Sequence, residues 1–318
     1  MNKIFPALLL AALWLRADGA SAGEHLSNHE EYCQQSAETP CLALLEQALG
    51  QTEPQTLQWF RLQSYRLDYL YDKLQYHKLH TEANQLLKIT DAPQAFRTQL
   101  YFFKVKTSRA RGEMAVADYY TELASRNLEA IYQAFSDPMR LLELANLQAV
   151  SGQYAEAWQL LLHAEHRFHN SRDAIFLFEL NSNKALVRHA LNALDDAAYY
   201  RKLALDAALP SGRPHDIIVA HGNLARTYQL LGKFGLAVDY YEKSLPYMRT
   251  GIDDVQLAIH RLRLAELYLT LQLPEQAHQY LQQVDQTGLG EGHKALYNTL
   301  RQQSLRSENK KAVTADRL

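Results

Sequence analysis

Two asparagines and an arginine recur at one spacing in the second half of the sequence. Asn183 and Asn223 are forty residues apart, and Arg263 follows forty residues after Asn223. A side-chain amide both donates and accepts hydrogen bonds, which suits the alternating N–H and C=O groups of an extended peptide. An arginine guanidinium pairs with a carboxylate, either that of an acidic residue or that of a polypeptide C-terminus. The three residues therefore suggest recognition of another polypeptide.

The residues that must position these side chains recur at the same spacing. Two amphipathic helices flank a glycine in HGNLARTYQLLGKFGLAVDYYEKSL, from residue 221, and RLRLAELYLTLQLPEQAHQYLQQV repeats the pattern forty residues later. Such self-similarity indicates a repeat protein. The register holds for five units, which begin near residues 98, 138, 178, 218 and 258. Small residues mark two fixed positions of these units: Ala145, Ala185, Ala225 and Ala265 at the first, and Ala117, Ala157, Ala197, Ala237 and Ala277 at the second.

These markers resemble those of the tetratricopeptide repeat family. The forty-residue unit is similar to the repeats of kinesin light chains, spindle-orientation adaptors and bacterial quorum-peptide receptors, and residues 221–237 are most similar to the first two. The resemblance implies an all-α fold, a right-handed α-solenoid of antiparallel helix pairs over residues 98–290. It also implies that asparagines on the first helix of successive units grip the main chain of a peptide. Asn183 and Asn223 match that pattern, and Arg263 departs from it.

The turn between the two helices of a unit favours a residue with left-handed backbone, which glycine adopts most cheaply. Four units have a suitable residue there: Gly112, Gly152, Asn192 and Gly232. Gln272 occupies the position in the last unit, two residues before Pro274. We expect a different turn at that point.

The concave face of a solenoid is lined by the first helix of each unit, and it is the usual binding surface. Helical geometry places both apolar and polar side chains there, on the face that points away from the small residues. From these we predict a peptide-binding groove formed by Asn146, Asn183, Val219, Asn223, Arg226, Leu230 and Arg263. The alternative is that the asparagines are only solvated on the concave wall.

The first 22 residues read as a secretory signal peptide. A lysine precedes the apolar run IFPALLLAALWL, and ASA at 20–22 has the form of a cleavage site before Gly23. The run is shorter than the roughly 20 residues that a membrane-spanning helix needs. We therefore expect an exported, periplasmic protein with no membrane span in the mature form, and an uncleaved N-terminal anchor is the alternative.

Only two cysteines are present, Cys33 and Cys41. On one continuous helix they would lie about 12 Å apart, too far for a disulfide. The segment SAETP between them favours a bend instead. We expect a disulfide between them in an oxidising compartment, with two structural thiols as the alternative.

The remaining segments are expected to cap the solenoid. Residues 23–97 form a divergent N-terminal helical cap that contains both cysteines, and 55–90 form a helical hairpin within it that fails the forty-residue pattern. Residues 291–306 form a C-terminal capping helix, because an open solenoid needs a polar-faced last element. Residues 307–318 form a disordered tail.

Several classes of function lack support in the sequence. The formal net charge is −2, and no basic face for nucleic acid is apparent. No nucleophile, phosphate-binding or zinc-protease motif is present, so we do not expect an enzyme or a cofactor. His163, His166 and His169 are spaced along one helix, but they spread over too wide an angle for a convincing metal site.

We therefore expect an exported scaffold or adaptor that binds an extended peptide segment of a protein partner in its concave groove and serves an envelope assembly. The alternative is a ligand-sensing or assembly-factor module of an envelope system that docks through its convex face. In the first case the groove asparagines and arginines are essential for binding, and in the second they are not.

Overall fold

The computed structural model describes residues 29–33 and 40–315, and every regular element in that part of the chain is helical. The predicted signal peptide lies outside the described residues. The helices are α1 His29–Cys33, α2 Cys41–Gln51, α3 Leu57–Asp72, α4 Tyr76–Leu86, α5 Gln94–Ala110, α6 Met114–Phe135, α7 Pro138–Val150, α8 Tyr154–Arg167, α9 Ala174–Ala190, α10 Leu194–Ser211, α11 Pro214–Leu230, α12 Phe234–Ser244, α13 Asp254–Thr270, α14 Pro274–Gln282 and α15 Glu291–Ala315, with a 3₁₀ turn at Leu245–Tyr247.

The five units correspond to the helix pairs α5/α6, α7/α8, α9/α10, α11/α12 and α13/α14. The first helices of the last three pairs begin at 174, 214 and 254, each with 17 residues. Local chemistry fixes these starts: the carboxylate of Asp173 accepts from the backbone N–H of Ile175, and Pro214 opens α11. The marker alanines are buried. Their small side chains let each pair pack closely, and successive pairs stack into an α-solenoid.

The turn inside each pair is the same in all five units. Its central residue has a positive φ, between 59° and 85°, at Gly112, Gly152, Asn192, Gly232 and Gln272. The next backbone N–H then bonds back to the first helix, as in Lys233 N–H to the Tyr228 carbonyl (2.9 Å) and Leu273 N–H to the Tyr268 carbonyl (2.8 Å). The expectation of a different turn at Gln272 is wrong. Pro274 does not disturb the turn, because it opens α14, where its missing N–H leaves no bond unmade.

Gly222 is fixed by packing between the last two units. A Cβ atom at this position would lie 2.6 Å from Nε2 of His260 on α13. The imidazole cannot easily retreat, because it is buried and its Nδ1 is 2.7 Å from the Ser244 hydroxyl. Burial lowers the pKa of His260 to about 3, so the ring packs in its neutral form. The close approach of α11 and α13 therefore requires glycine here.

The N-terminal cap contains the predicted hairpin, formed by α3 and α4, and the predicted disulfide. Cys33 and Cys41 are bonded, with Cα atoms 5.1 Å apart, and the bond ties the short α1 to α2. The turn between α3 and α4 also has a left-handed residue, Leu74, with the N–H of Gln75 bonded to the Leu70 carbonyl. The cap is therefore a sixth helix pair of the same construction, although its sequence lacks the markers.

The C-terminal helix is longer than predicted. The sequence places its end at residue 306, but α15 continues to Ala315, into the segment predicted to be disordered. Residues 307–315, SENKKAVTA, contain no glycine or proline and are rich in good helix formers, so no residue there stops the helix. Among the described helices, none is both long and apolar enough to cross a membrane.

Candidate binding cavity

A cavity of about 810 Å³ lies on the concave side of the solenoid. Its wall is formed mainly by α3, α5, α7, α9 and α11, the first helices of five consecutive pairs. Ligand sites in proteins usually have volumes of roughly 300–1,000 Å³, so the space is large enough for a small molecule or a short peptide segment. Its position agrees with the concave face predicted from helical geometry.

Much of the wall is apolar and aromatic. The rings of Tyr71 on α3 and Phe103 on α5 lie 5.5 Å apart between centroids. The apolar lining comprises Tyr65, Tyr71, Phe96, Phe102, Phe103, Leu128, Ile131, Met139, Leu142, Val150, Phe178, Leu186 and Val219. Such a wall can bury the apolar side chains of a ligand.

Acidic side chains outnumber basic ones around the cavity. The five acidic residues are Asp68, Asp72, Glu143, Glu179 and Asp216, and the three cationic ones are Lys106, Arg140 and Arg213. Burial raises the pKa of Asp68, Asp72, Glu143 and Asp216 to about 7 in each case. Burial also raises the pKa of Glu179 and lowers that of Lys106 to about 8. The wall therefore has an excess of carboxyl groups that take up protons near neutral pH.

Three of the five carboxyl groups pair with an amide or a guanidinium group on the same wall. The pairs, at 2.8, 2.6 and 3.3 Å, are Asp68 with Gln99, Glu143 with Arg140, and Asp216 with Arg213. Asp72 lies between two imidazoles, 3.5 Å from Nε2 of His29 and 3.4 Å from Nε2 of His215. Burial lowers the pKa of His29 to about 3 and that of His215 to about 4, so both rings are neutral near pH 7.

Glu179 is the exception. Its side chain lines the cavity from the middle of the wall on α9 and is mostly buried. Within the described part of the protein, no hydrogen bond or ion pair engages its carboxylate. Its charge acts on several neighbours, and it contributes to the raised pKa of Asp72, Glu143 and Asp216. The carboxylate of Glu179 therefore has no bond within the described residues that a ligand would have to displace.

A row of hydrogen-bonded polar side chains crosses three consecutive first helices. The ammonium group of Lys106 on α5 donates to Oδ1 of Asn146 on α7, whose Nδ2 donates to Oδ1 of Asn183 on α9. Lys106 also lies over the Phe102 ring, 4.9 Å from its centroid. Asn223 on α11 continues this row with an exposed side chain that makes no hydrogen bond to any described residue.

The N-terminal hairpin and the last repeat meet beside the cavity. Lys73, at the end of α3, forms a buried ion pair with Asp253, 2.6 Å between Nζ and Oδ1 and 180 residues away in sequence. The side-chain amide of Gln256 donates to the Asp72 carbonyl, and Glu30 on α1 lies 3.3 Å from Arg213. The N-terminal hairpin thus contacts the last repeat at the edge of the cavity, which is still partly open to solvent.

Four of the seven predicted groove residues line the cavity: Asn146, Asn183, Val219 and Asn223. Asn183 is buried rather than open to solvent. Binding by these residues stays a prediction. Their placement shows that the forty-residue spacing does align them along one face.

The other three predicted residues, Arg226, Leu230 and Arg263, do not reach the cavity. Arg226 bonds to Gln229 (2.8 Å), Gln229 to Glu266 on the neighbouring helix (2.8 Å), and Arg263 to the same carboxylate (2.8 Å). Leu230 is 43% exposed near the end of α11. The two arginines are held by a local network, because Glu266 offers a carboxylate that the repeat pattern alone did not reveal.

The acidic residues of the cavity were missed for two different reasons. Asp68 and Asp72 belong to the hairpin that fails the repeat pattern, so no periodicity aligns them with the groove. Glu179 precedes Val219 by forty residues and therefore occupies the same helical position. That correspondence is the signal that identifies it.

The sequence and the fold both match known proteins. The family model of the tetratricopeptide repeat matches residues 216–284, which comprise α11–α14. This protein contains tetratricopeptide repeats. No curated protein matches the sequence. The described residues contain no group of three or more His, Cys, Asp or Glu side chains that could hold a metal ion.

The fold also resembles those of several solved structures. NprR in complex with its cognate peptide NprX is 14% identical, with a TM-score of 0.51, over 86% of this protein and 82% of that one. A tetratricopeptide repeat protein from Parabacteroides merdae is 13% identical, with a TM-score of 0.48, over 82% and 91%. BtubC from P. vanneervenii is 22% identical over 61% and 91%, with a TM-score of 0.47. At these identities the likeness is one of fold.

Proposed function

We propose that this protein is an exported, non-catalytic scaffold or adaptor that binds an extended peptide segment of a protein partner in its concave cavity and serves an envelope assembly. The observation that carries the proposal is the row Asn146, Asn183 and Asn223 on a cavity wall that also carries apolar and aromatic side chains. An extended peptide presents polar main-chain groups and alternating side chains, and this wall offers amides for the former and apolar surface for the latter.

The asparagines have different roles in this proposal. Asn146 and Asn183 are already hydrogen-bonded to each other, so they orient the wall and offer their remaining donor and acceptor capacity. The Asn223 side chain is exposed and has no partner among the described residues, so it can bond to a peptide without breaking an existing contact. Asn223 is therefore the position from which a bound peptide is best detected.

Two further points support the proposal. Among proteins of similar fold, NprR was solved with a cognate peptide bound. The disulfide between Cys33 and Cys41 suits an oxidising compartment, to which the signal-like residues 1–22 would direct the protein. Export is tested by sequencing the N-terminus of the protein recovered from a periplasmic fraction, where a start at Gly23 is expected.

Peptide binding is tested by photocrosslinking in intact cells. A photoreactive residue in place of Asn223 should trap one partner, and the crosslinked fragment should map to one extended segment of it. The matched control has the photoreactive residue in place of Tyr199, which is 61% exposed on α10, outside the cavity lining. A synthetic peptide of the trapped segment should then bind the purified protein, and Asn223→Ala should weaken it about tenfold while the melting temperature stays the same.

Two results would contradict the proposal. Trapping from position 199 but not from 223 would favour docking through the convex face. Equal affinity of the peptide for the wild-type protein and a variant with the cavity filled by Val219→Trp would place the peptide elsewhere on the surface.

A further inference from the structure

The chemistry of the cavity wall restricts what kind of peptide fits, and this inference rests on the proposed function. All three cationic side chains of the wall already have partners. Arg140 lies 2.6 Å from Glu143, Arg213 lies 3.3 Å from both Glu30 and Asp216, and Lys106 bonds to Asn146. Arg140 and Arg213 are paired with carboxylates, whereas the bond of Lys106 is to a neutral amide.

The carboxyl groups are less well matched. Asp68 is bonded to a neutral amide, and the partners of the Asp72 carboxylate are two neutral imidazoles. Glu179 has no partner in the described part of the protein, although burying a carboxylate without a partner is costly. Three carboxyl groups of the wall, those of Asp68, Asp72 and Glu179, therefore form no direct ion pair with a lysine or arginine among the described residues.

A metal ion does not account for this charge. The carboxylates of the described residues do not converge into a group of three that could coordinate one. Aromatic rings surround them, with Tyr71, Phe102, Phe103 and Phe178 in the same lining. Carboxylates together with aromatic faces are the usual environment for an organic cation, which gains from both the ion pair and the ring quadrupole.

We propose that the peptide bound in this cavity carries an ammonium or guanidinium group, from a lysine or arginine side chain or a free N-terminus, that forms an ion pair with Glu179. Apolar residues beside that group pack on the aromatic wall. The asparagine row bonds to the main chain on the α7–α11 side. The preferred ligand is thus a short, cationic and partly aromatic or aliphatic segment, and acidic segments are rejected.

The test uses mixtures of hexapeptides with one fixed residue at the third position and the other positions randomised among uncharged residues. The fixed residue is arginine, lysine, citrulline, norleucine or glutamate, and each mixture is made with free and with acetylated N-termini. Retention on the purified full-length protein is measured by affinity selection and mass spectrometry at pH 7.5. If a side-chain cation is recognised, the acetylated mixtures with arginine or lysine should be retained at least tenfold more than those with citrulline or norleucine, and those with glutamate least.

The comparison of free and acetylated peptides identifies the source of the cation. If the N-terminal amine is recognised, free norleucine peptides should be retained and their acetylated forms lost. If a side-chain cation is recognised, acetylation should make no difference to the arginine and lysine mixtures. Either result supports an organic cation as the ligand group.

The variant Glu179→Gln removes the charge and keeps the shape of the side chain. It should abolish the preference for cationic over neutral peptides, whereas Glu156→Gln, an exposed residue outside the cavity lining on α8, should leave it unchanged. Equal retention of all mixtures by the wild-type protein, with free and with acetylated N-termini alike, would overturn this inference and leave peptide binding intact. Retention of none of the mixtures would overturn both.

Discussion

The cavity and the C-terminal repeats are built from the same helix pair but treat their concave side chains differently. In the repeats, Glu266 is bonded by both Gln229 and Arg263, so the concave polar groups bond to one another. In the cavity, Glu179 has no partner among the described residues. This difference shows that the regularity of a repeat does not identify it as the functional part of the protein. Around Glu266, in the units that match the family model, the polar groups bond to one another, whereas Glu179 lies in a unit that precedes the matched residues.

The largest expected effect comes from the ion pair that joins the N-terminal hairpin to the last repeat. Lys73 and Asp253 are both buried, and Lys73→Met would leave the aspartate without its cation. Breaking a buried pair from one side costs about 3–5 kcal/mol. We expect Lys73→Met to lower the free energy of unfolding by that amount, measured by urea denaturation followed by circular dichroism.

Two control variants separate the pair from a general effect of losing a lysine. Lys243→Met breaks an exposed pair with Asp239 and should cost little stability. Lys73→Met combined with Asp253→Asn removes both charges, keeps an acceptor for the Arg249 N–H, and should recover most of the lost stability. If Lys73→Met costs no more stability than Lys243→Met, the ion pair between the N-terminal hairpin and the last repeat is not energetically important.

The second prediction concerns the packing of the regular repeats. Gly222→Ala would place a methyl group against the His260 ring, which its hydrogen bond to Ser244 holds in place. Overpacking of this kind costs about 1–3 kcal/mol. Gly235→Ala, on α12 where the added methyl meets open space, should instead raise stability by about 0.5 kcal/mol. Thermal melts of the two variants check the prediction, and a shift in the same direction for both would refute it.

The sequence predicts the repeated part of this fold well, because small residues at fixed spacing leave few ways to pack two helices. The helix pairs from α5 to α14 and four of the seven predicted groove residues follow from that spacing. Prediction of the cavity requires more information than this spacing provides. Lys73 and Asp253 are 180 residues apart, and no periodic pattern relates them. The sequence therefore does not show that the N-terminal hairpin contacts the last repeat.

Local ion pairs are not part of the repeat pattern either. The pattern predicts that Arg263 binds a ligand carboxylate, because its position matches that of two asparagines. Whether an arginine is available depends on its neighbours, and Glu266 lies three residues further along the same helix, 2.8 Å away. Glu179 has no such neighbour among the described residues, and only the three-dimensional arrangement reveals that.

The last prediction applies one chemical change to both regions. Glu179→Gln removes a largely buried charge without a partner, so we expect the melting temperature to rise, by an amount that corresponds to about 1 kcal/mol. Glu266→Gln weakens the bond from the Arg263 guanidinium, so we expect the melting temperature to fall, by about 0.5 kcal/mol in stability. Differential scanning calorimetry at pH 7.5 measures both. A fall for Glu179→Gln would show that its carboxylate has a structural partner and is not kept for a ligand.

The pH dependence of the stability gained by Glu179→Gln provides a second measurement. The pKa of Glu179 is raised in the folded state, so the folded protein favours the protonated carboxyl group. The wild-type protein therefore loses stability as the pH rises from the pKa of the unfolded state through that of the folded state. The advantage of Glu179→Gln should therefore be largest at pH 8 and disappear near pH 4, where the wild-type carboxyl group is protonated in the folded state and largely so in the unfolded state. Charges that face it are Asp68 and Asp72 on α3, Lys106 on α5, Arg140 and Glu143 on α7, and Arg213, His215 and Asp216 on α11. Glu179 contributes to the raised pKa of Asp72, Glu143 and Asp216, so the loss of its charge also makes their ionised forms less costly at high pH. An advantage of the same size at pH 4 and pH 8 would mean that shape, and not the charge of Glu179, separates the variant from the wild type.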